Sequence, residues 1–401
     1  MLRGGVGKST LADSASAAKQ AIEEALGALA GEPARFLWVF ATALHDHAAV
    51  LATLHGAAPT ARVVGCSGEG VIAGADSDER EHALAVLAVA SADVFFEPFL
   101  VEGFGADPAG AGRALAARVA AVGAERPLAL FVFPDGLVGD CTLFLDALGE
   151  ALPAGLPVLG GTAGDDMAFV RTHQFVDQRV TSGAVAAVLV HGAARIAFAT
   201  SHGCVPIGLE RHVTGARGGW LDEIDGRAAW QVFKDYLDGD VDELSAEGVI
   251  HLSLADDLAP GSDADALPDH ERYVIRTPLG LDKERQALFF PGGGLAAGRS
   301  VRIVRRDPDR IRESAERCAR RILDGAGGRT PAFVLQFDCA GRGQVLFGSC
   351  AADHIVRPLR GVLGDSVPWL GFHTYGEIAP VAGRARYQNY TVALCALFDD
   401  E

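Results

Sequence analysis

Val63-Val64-Gly65-Cys66-Ser67-Gly68-Glu69 is a phrase that this chain writes three times. Val158-Leu159-Gly160-Gly161-Thr162-Ala163-Gly164-Asp165 is the second copy, and Trp369-Leu370-Gly371-Phe372-His373-Thr374-Tyr375-Gly376-Glu377 the third. Each runs from an apolar pair through a glycine and a small-polar stretch to a glycine followed by a carboxylate. The surroundings repeat as well. An apolar run carrying phenylalanine and small residues precedes each copy, at 36–41, 128–133 and 333–339, with room for one helix in between. Another apolar run follows each, at 83–90, 184–190 and 392–398. Repetition on this scale is an architectural signal and is settled before any shorter motif. The run at 36–40 is continuous rather than alternating, as in a strand covered on both faces. The expectation is an α/β protein whose repeated strand-helix-strand-strand units form mixed sheets flanked by helices, in two subdomains.

Apolar residues at helical spacing (Ala18, Ile22, Ala25, Leu26 and Leu29) predict a first helix over 14–29, capped by Asp13 or Ser14. Further helices are expected at 47–54, 109–122, 140–148 and 310–323, with an aromatic-bearing one at 227–237. The runs 83–90 and 94–101 read as a strand pair joined by Ser91-Ala92-Asp93, and 183–190 with 194–200 as a second such pair. The segment 255–270, rich in Asp, Pro, Gly and Ser, reads as an exposed loop. Short β-like runs follow at 273–277, 286–290 and 300–304. Glycines cluster and the repeat breaks at 202–219, so the subdomains are placed at 1–205 and 206–401. The first would hold two units; the second would hold a strand-rich insertion and the third unit.

The 401 residues are 49% hydrophobic and 22% charged, ordinary for a globular protein. A net charge of −17 argues against nucleic acid as a partner, because a phosphate footprint needs clustered cations. One segment runs against that balance: Arg302, Arg305, Arg306, Arg310, Arg312, Arg317, Arg320 and Arg321 crowd together. A strand and helix with solvated outer faces explain it most simply, and a local basic groove is the alternative. No apolar run reaches the roughly 20 residues that cross a bilayer, and the N-terminus lacks a signal peptide's apolar core. Seven cysteines without a Cys-x-x-Cys motif read as reduced thiols, and a cytoplasmic location is expected, with no membrane partner.

These segments resemble the FIST family, a sensory module with paired N- and C-terminal FIST domains. The resemblance is most specific at Gly371-Phe372-His373-Thr374-Tyr375-Gly376-Glu377-Ile378-Ala379-Pro380 and at Asn389-x-Thr391. It extends through Gly65-Cys66-Ser67-Gly68-Glu69, Gly160 to Asp166, His202-Gly203-Cys204-x-Pro206-x-Gly208, Val213-Thr214, the run from Leu221 to Gly226, and Asp338-Cys339-x-x-Arg342. It spans almost the whole chain, so no attached output domain is expected within it. The resemblance implies a signal input: a small, amino-acid-like ligand, with the signal passed to a separate histidine kinase, cyclic-dinucleotide enzyme or chemotaxis protein. Some members are haem proteins that sense nitric oxide, so a haem is the one cofactor to consider, with His202 and His373 as axial candidates.

Several motifs invite sharper readings. Gly4-Gly5-Val6-Gly7-Lys8-Ser9-Thr10 looks like a phosphate loop of partitioning ATPases, but only Met1 and Leu2 precede it, and Leu2 occupies the first glycine position. A glycine-rich edge segment, common at the start of family members, explains it better. At the Gly-acid turns, carboxylates are placed to hold an ammonium, while backbone N–H groups or Arg342 hold a carboxylate. The candidate binding residues are therefore Ser67, Glu69, Asp165, Asp166, Asp338, Arg342, Tyr375, Glu377 and Asn389. The competing reading is that Glu69, Asp165 and Glu377 cap turns, and that Asn389 and Thr391 close local hydrogen bonds. Cys339 beside Arg342 would serve a thiol enzyme, although no nearby histidine accompanies it and no catalytic set is expected. His45, His47 and His55 cluster too weakly for zinc.

Overall fold

Gly65, Gly160 and Gly371 occupy one structural position three times over. Each lies in a strand that runs parallel to its neighbour, opposite Val39, Val132 and Gln336. A Cβ at these glycines would meet the opposing carbonyl oxygen at 1.7, 2.1 and 2.0 Å, so hydrogen alone fits. The computed structural model describes residues 1–237, 252–260 and 268–400. Three six-stranded sheets are built to one plan. In the first, the order is Leu2–Ser9, Leu84–Ser91, Phe36–Thr42, Arg62–Gly68, then a hairpin of Gln174–Val176 and Arg179–Thr181. In the second it is Val94–Val101, Val185–Gly192, Pro127–Pro134, Val158–Gly161, then Glu377–Val381 and Arg384–Gln388. In the third it is Ala194–Ser201, Val392–Asp399, Phe333–Cys339, Trp369–Thr374, then Gly70–Ala73 and Asp76–Asp78.

The hairpins are exchanged cyclically. The one after the first Gly-acid turn completes the third sheet, the one after the second completes the first, and the one after the third completes the second. No unit closes its own sheet, so the three are locked as one body. Their inner faces share a core, in which Phe40, Phe133 and Phe337 form a triangle with ring centroids 5.5, 5.7 and 6.3 Å apart. Such a contact adds about 0.5–1.5 kcal/mol to the burial of each ring. Helices cover each outer face: Ser14–Gly27 with His47–Ala57, Pro108–Val122 with Cys141–Ala151, and Pro308–Gly325 with Arg357–Leu363. Asp13, Asp46, Asp107, Asp140 and Asp307 cap five of these six helices, each worth about 1 kcal/mol.

The mixed α/β architecture and its repeats are as the sequence predicts, and several local expectations need correction. The two strand pairs are consecutive in sequence but lie in different sheets. Leu84–Ser91 already has neighbours on both edges in the first sheet, so Val94–Val101 starts the second. Val185–Gly192 and Ala194–Ser201 divide in the same way. The aromatic helix is a short Ala229–Lys234. The expected loop at 255–270 begins inside a buried strand, Leu252–Asp257, where Asp257 pairs with Arg272 and Asp256 with Arg299. Its portion 261–267 lies outside the described residues. The glycine-rich N-terminus is the edge strand Leu2–Ser9. A Cβ on Gly5 or Gly7 would lie 2.2 or 2.1 Å from carbonyls of the overlying helix, so these glycines serve close helix–strand packing.

Between the strand Ala194–Ser201 and the helix Pro308–Gly325, the third unit carries an insertion. It forms a nine-stranded sheet around its own core of Trp230, Phe233, Leu254 and Ile303. In the first two units the same connection is a few residues long: Ser9 to Ser14, and Val101 to Pro108.

Candidate functional site

The three Gly-acid turns meet. Ser67 Oγ donates to the Gly164 carbonyl at 2.7 Å, and the Gly164 N–H donates back to the Ser67 carbonyl at 3.0 Å. Thr162 N–H donates to the Gly376 carbonyl at 2.8 Å, and Glu69 N–H to the His373 carbonyl at 3.0 Å. Each turn is thereby bonded to both of the others, the geometry that the hairpin exchange imposes.

Tyr375 stands at the centre. Its hydroxyl lies 2.6 Å from Asp165 Oδ1 and 3.3 Å from Glu69 Oε2, and it accepts from the Met167 N–H at 2.9 Å. A phenol has one proton to give, and Asp165 is the nearer acceptor. Asp165 also takes the N–H groups of Phe169, Val170 and Arg171. Among the described residues Glu69 takes only the Met167 N–H besides the phenol. Burial, with Asp166 and Glu79 nearby, pushes the Glu69 carboxyl up to about 8. Asp166 is raised to about 6, chiefly by burial and then by Asp165 and Glu81, and its Oδ2 is enclosed without a partner. The loop is strained where these groups gather: Asp166, Met167 and Phe169 all have φ between 51° and 57°. The Phe169 ring stacks on Tyr375 at 5.3 Å, while Met167, Val170 and Leu44 stay exposed.

The remaining candidates lie deeper. Glu377 is fully buried and accepts from Thr374 Oγ1, Thr391 Oγ1 and the Thr391 N–H, and burial raises it to about 8. Asn389 Nδ2 donates to the Tyr375 carbonyl at 3.0 Å, and its Oδ1 accepts from the Thr277 N–H, so it ties the third turn to the insertion. Arg342 is wholly buried. Its Nε pairs with Asp338 at 3.1 Å, and its Nη1 donates to the Ser201 carbonyl at 3.1 Å. This guanidinium is a structural tie and does not lie open to a ligand. Burial pushes the Cys339 thiol well up, and Glu377 adds to this, which opposes a thiolate.

A second region gathers charge in a different way. Where the insertion leaves the third sheet and returns to its helix, a cavity of about 380 Å³ opens. One wall is the helix Pro308–Gly325, whose Arg310, Ser314, Arg317, Arg321 and Asp324 follow the spacing of a single face. The opposite wall is Ser201 to Cys204, with Pro268 to His270 at the rim. Arg321 reaches the Thr200 carbonyl and His270, and Ser314 Oγ donates to the His202 carbonyl at 2.8 Å. Burial and then Arg321 push His270 down to about 4, and burial lowers His202, so both rings are neutral at pH 7. The signal for this site in the sequence was the arginine crowd read at heptad-like spacing.

Neither histidine fits a haem. His373 is fully buried, with Nε2 2.8 Å from Ser77 Oγ and 3.4 Å from Glu79 Oε1, and His202 faces arginines and serines rather than an apolar slot. His45 and His47 are engaged by Ser14 and the Thr42 carbonyl. Among the described residues no three His, Cys, Asp or Glu side chains gather as a metal site, and no helix is long and apolar enough to cross a membrane.

Comparison with known proteins gives a consistent pattern. The family model of the FIST N domain matches residues 35–227, and that of the FIST C domain matches residues 229–380. An uncharacterized protein of Mycobacterium tuberculosis is 30% identical over 410 residues, covering 100% of both chains. One from Mycobacterium bovis is 30% identical over 411 residues, again covering 100% of both. Among solved structures, a chorismatase aligns with 99% of this chain and 98% of its own, at 10% identity and a TM-score of 0.36.

Proposed function

Because this chain belongs to the FIST family of signal-transduction sensor domains, we propose that it is a binding module rather than an enzyme. In this reading it takes a small, amino-acid-like ligand at the three-turn junction and passes the signal to a separate protein. The observation that carries the reading is the Glu69–Asp166 pair. Two carboxyls held above their ordinary range, one with an enclosed unpaired oxygen, border aromatic Phe169 and Tyr375. A ligand ammonium supplies the missing positive charge and a cation–π contact. Arg342 is engaged elsewhere, and the N–H groups of Met167, Ala168, Phe169 and Val170 already donate to Glu69 and Asp165, so the reading rests on the ammonium half of the ligand. Because the junction belongs to all three sheets, a ligand that resets this strained loop changes the packing of the whole body. A histidine kinase or cyclic-dinucleotide enzyme is the partner class that the family suggests. Seven free cysteines, six of them buried, suit a cytoplasmic location.

Calorimetry of the full chain against a panel of amino acids and simple amines tests this. The expected result is binding by an ammonium-bearing compound, weakened at least about tenfold by Glu69→Gln with Asp166→Asn. No binding and no change in melting across the panel would overturn it.

A further inference from the structure

The cavity at the insertion seam has a charge that the rest of the chain does not share. Arg310, Arg317, Arg320 and Arg321 line it, against Asp269 and Asp324, in a chain whose net charge is −17. Among the described residues the carboxylate partners of Arg317 and Arg320 are exposed ones on their own helix, Glu313 at 3.9 Å and Glu316 at 3.4 Å. Pairs of this kind are worth little and yield readily to a competing anion. Arg310 has no carboxylate partner among the described residues. Arg321, by contrast, is fixed by the Thr200 carbonyl and His270, so one guanidinium is already oriented. The corresponding helices of the first and second units carry one lysine (Lys19) and two arginines (Arg113 and Arg118), whereas this one carries five arginines. The basic stripe is thus confined to the unit whose helix and strand are parted by the insertion.

We propose that this cavity binds a small metabolite bearing an oxyanion, a phosphate ester or a polycarboxylate, between the Arg310–Arg317–Arg321 face and the wall at Ser201 to Cys204. Guanidinium groups bind both anions in the same forked manner, which is the chemistry the two ligand sources share. The volume suits a small metabolite, and a seam between two structural layers is where such sites form. Ser201, His202 and Ser314 supply neutral polar groups, and the four arginines outnumber the two carboxylates, Asp269 and Asp324, in the lining. The site is physically tied to the junction. Arg342 donates to the Ser201 carbonyl behind the wall and pairs with Asp338, which lies opposite His373 of the third turn. An occupant that shifts Ser201 therefore pulls on the strand paired with the one that carries the third Gly-acid turn.

The test uses the full chain and two probes, pyrophosphate and citrate, titrated by calorimetry at ionic strength held constant with sodium chloride. The expected result is saturable binding of at least one probe, with the tighter one assigning the ligand source. Arg310→Gln with Arg317→Gln weakens that binding roughly tenfold to hundredfold. Both side chains are exposed, and Arg310→Gln alone, with a smaller loss, serves if the double variant melts early. Glu69→Gln with Asp166→Asn leaves it unchanged. Absence of binding above the chloride control, or equal affinity in the arginine variants, overturns the proposal. The amine panel at the junction reads a different pair of residues, so the two sites fail or stand separately.

Discussion

The junction of the three turns and the cavity at the insertion seam both concentrate charge, and they treat it in opposite ways. At the junction the buried carboxylates are held by the protein itself: Asp165 takes three N–H groups of its own loop and the phenol of the third turn, and Glu377 takes two hydroxyls and an N–H from its own unit. Charge there is turned inward and fixes the fold. At the seam a row of guanidiniums faces open space: Arg321 is oriented, Arg317 and Arg320 are held by exposed pairs on the same helix, and Arg310 has no carboxylate partner among the described residues. Burial separates the two cases. A buried charge must be satisfied by the protein itself, whereas an exposed one can wait for a ligand. The contrast also narrows the junction: burial raises the Glu69 and Asp166 carboxyls, and Asp166 Oδ2 has no partner among the described residues.

Arg342 gives the largest expected effect because it belongs to the inward-facing set although it borders the seam. Arg342→Met leaves Asp338 buried without its cation and releases the Ser201 carbonyl. A loss of about 3–5 kcal/mol in unfolding free energy by urea titration is expected. A loss below about 1 kcal/mol would mean that Asp338 is held protonated by its surroundings, and that the junction and the seam are independent.

Glu69 gives the next effect, through pH. Its carboxyl titrates near the ordinary 4.5 in the unfolded chain and near 8 in the folded one. The folded form keeps a proton that the unfolded form has lost, so the stabilisation is complete below pH 4.5 and disappears as pH rises through 8. Glu69→Gln mimics the protonated acid. The variant is expected to lose at least about 1 kcal/mol less than the parent between pH 5 and pH 8.5, measured by denaturant titration at each pH. Glu377, also near 8, keeps part of the slope in both proteins. Parallel curves for parent and variant would show that Glu69 is ionised throughout.

Much of this was legible in the sequence, and the boundary of legibility has physical causes. The threefold phrase announced the three units, because the glycine opposite each parallel strand admits no side chain and the phenylalanine of each preceding run fills the shared centre. The cyclic exchange of hairpins was not legible. A strand's sequence records that it is buried and paired, not which unit supplies the partner, so 83–90 and 94–101 read as one pair when they open two sheets. At the site, Tyr375 and the acids were found by their place in the repeat. Their satisfaction by neighbouring turns depends on contacts between residues some 200 to 300 positions apart, such as Tyr375 with Asp165 and Glu69. The buried pair Asp338–Arg342 was visible as an i, i+4 spacing, but its burial was not. The seam was nearly in reach: the arginine crowd was plain, and the heptad-like steps from Arg310 through Arg317 to Arg321 put it on one helix face. What the sequence hides is that an insertion of about a hundred residues leaves that face looking into a cavity.

The smallest expected effect is the sharpest check on the comparison. Arg310→Gln with Arg317→Gln removes two exposed guanidiniums, one without a carboxylate partner among the described residues and one with a partner 3.9 Å away. Exposed pairs at this spacing contribute a few tenths of a kcal/mol, and relief of repulsion along the arginine face offsets part of that. Unfolding free energy in the absence of added anion should therefore change by less than about 0.5 kcal/mol, and in moderate salt by less still, because the Debye length falls to about 10 Å at 0.1 M. If the double variant loses 2 kcal/mol or more, the stripe is part of the fold in the same sense as Arg342, and the contrast between a satisfied junction and an expectant seam collapses. If stability holds while the affinity for pyrophosphate or citrate drops, the arginines are there for something the chain does not itself contain.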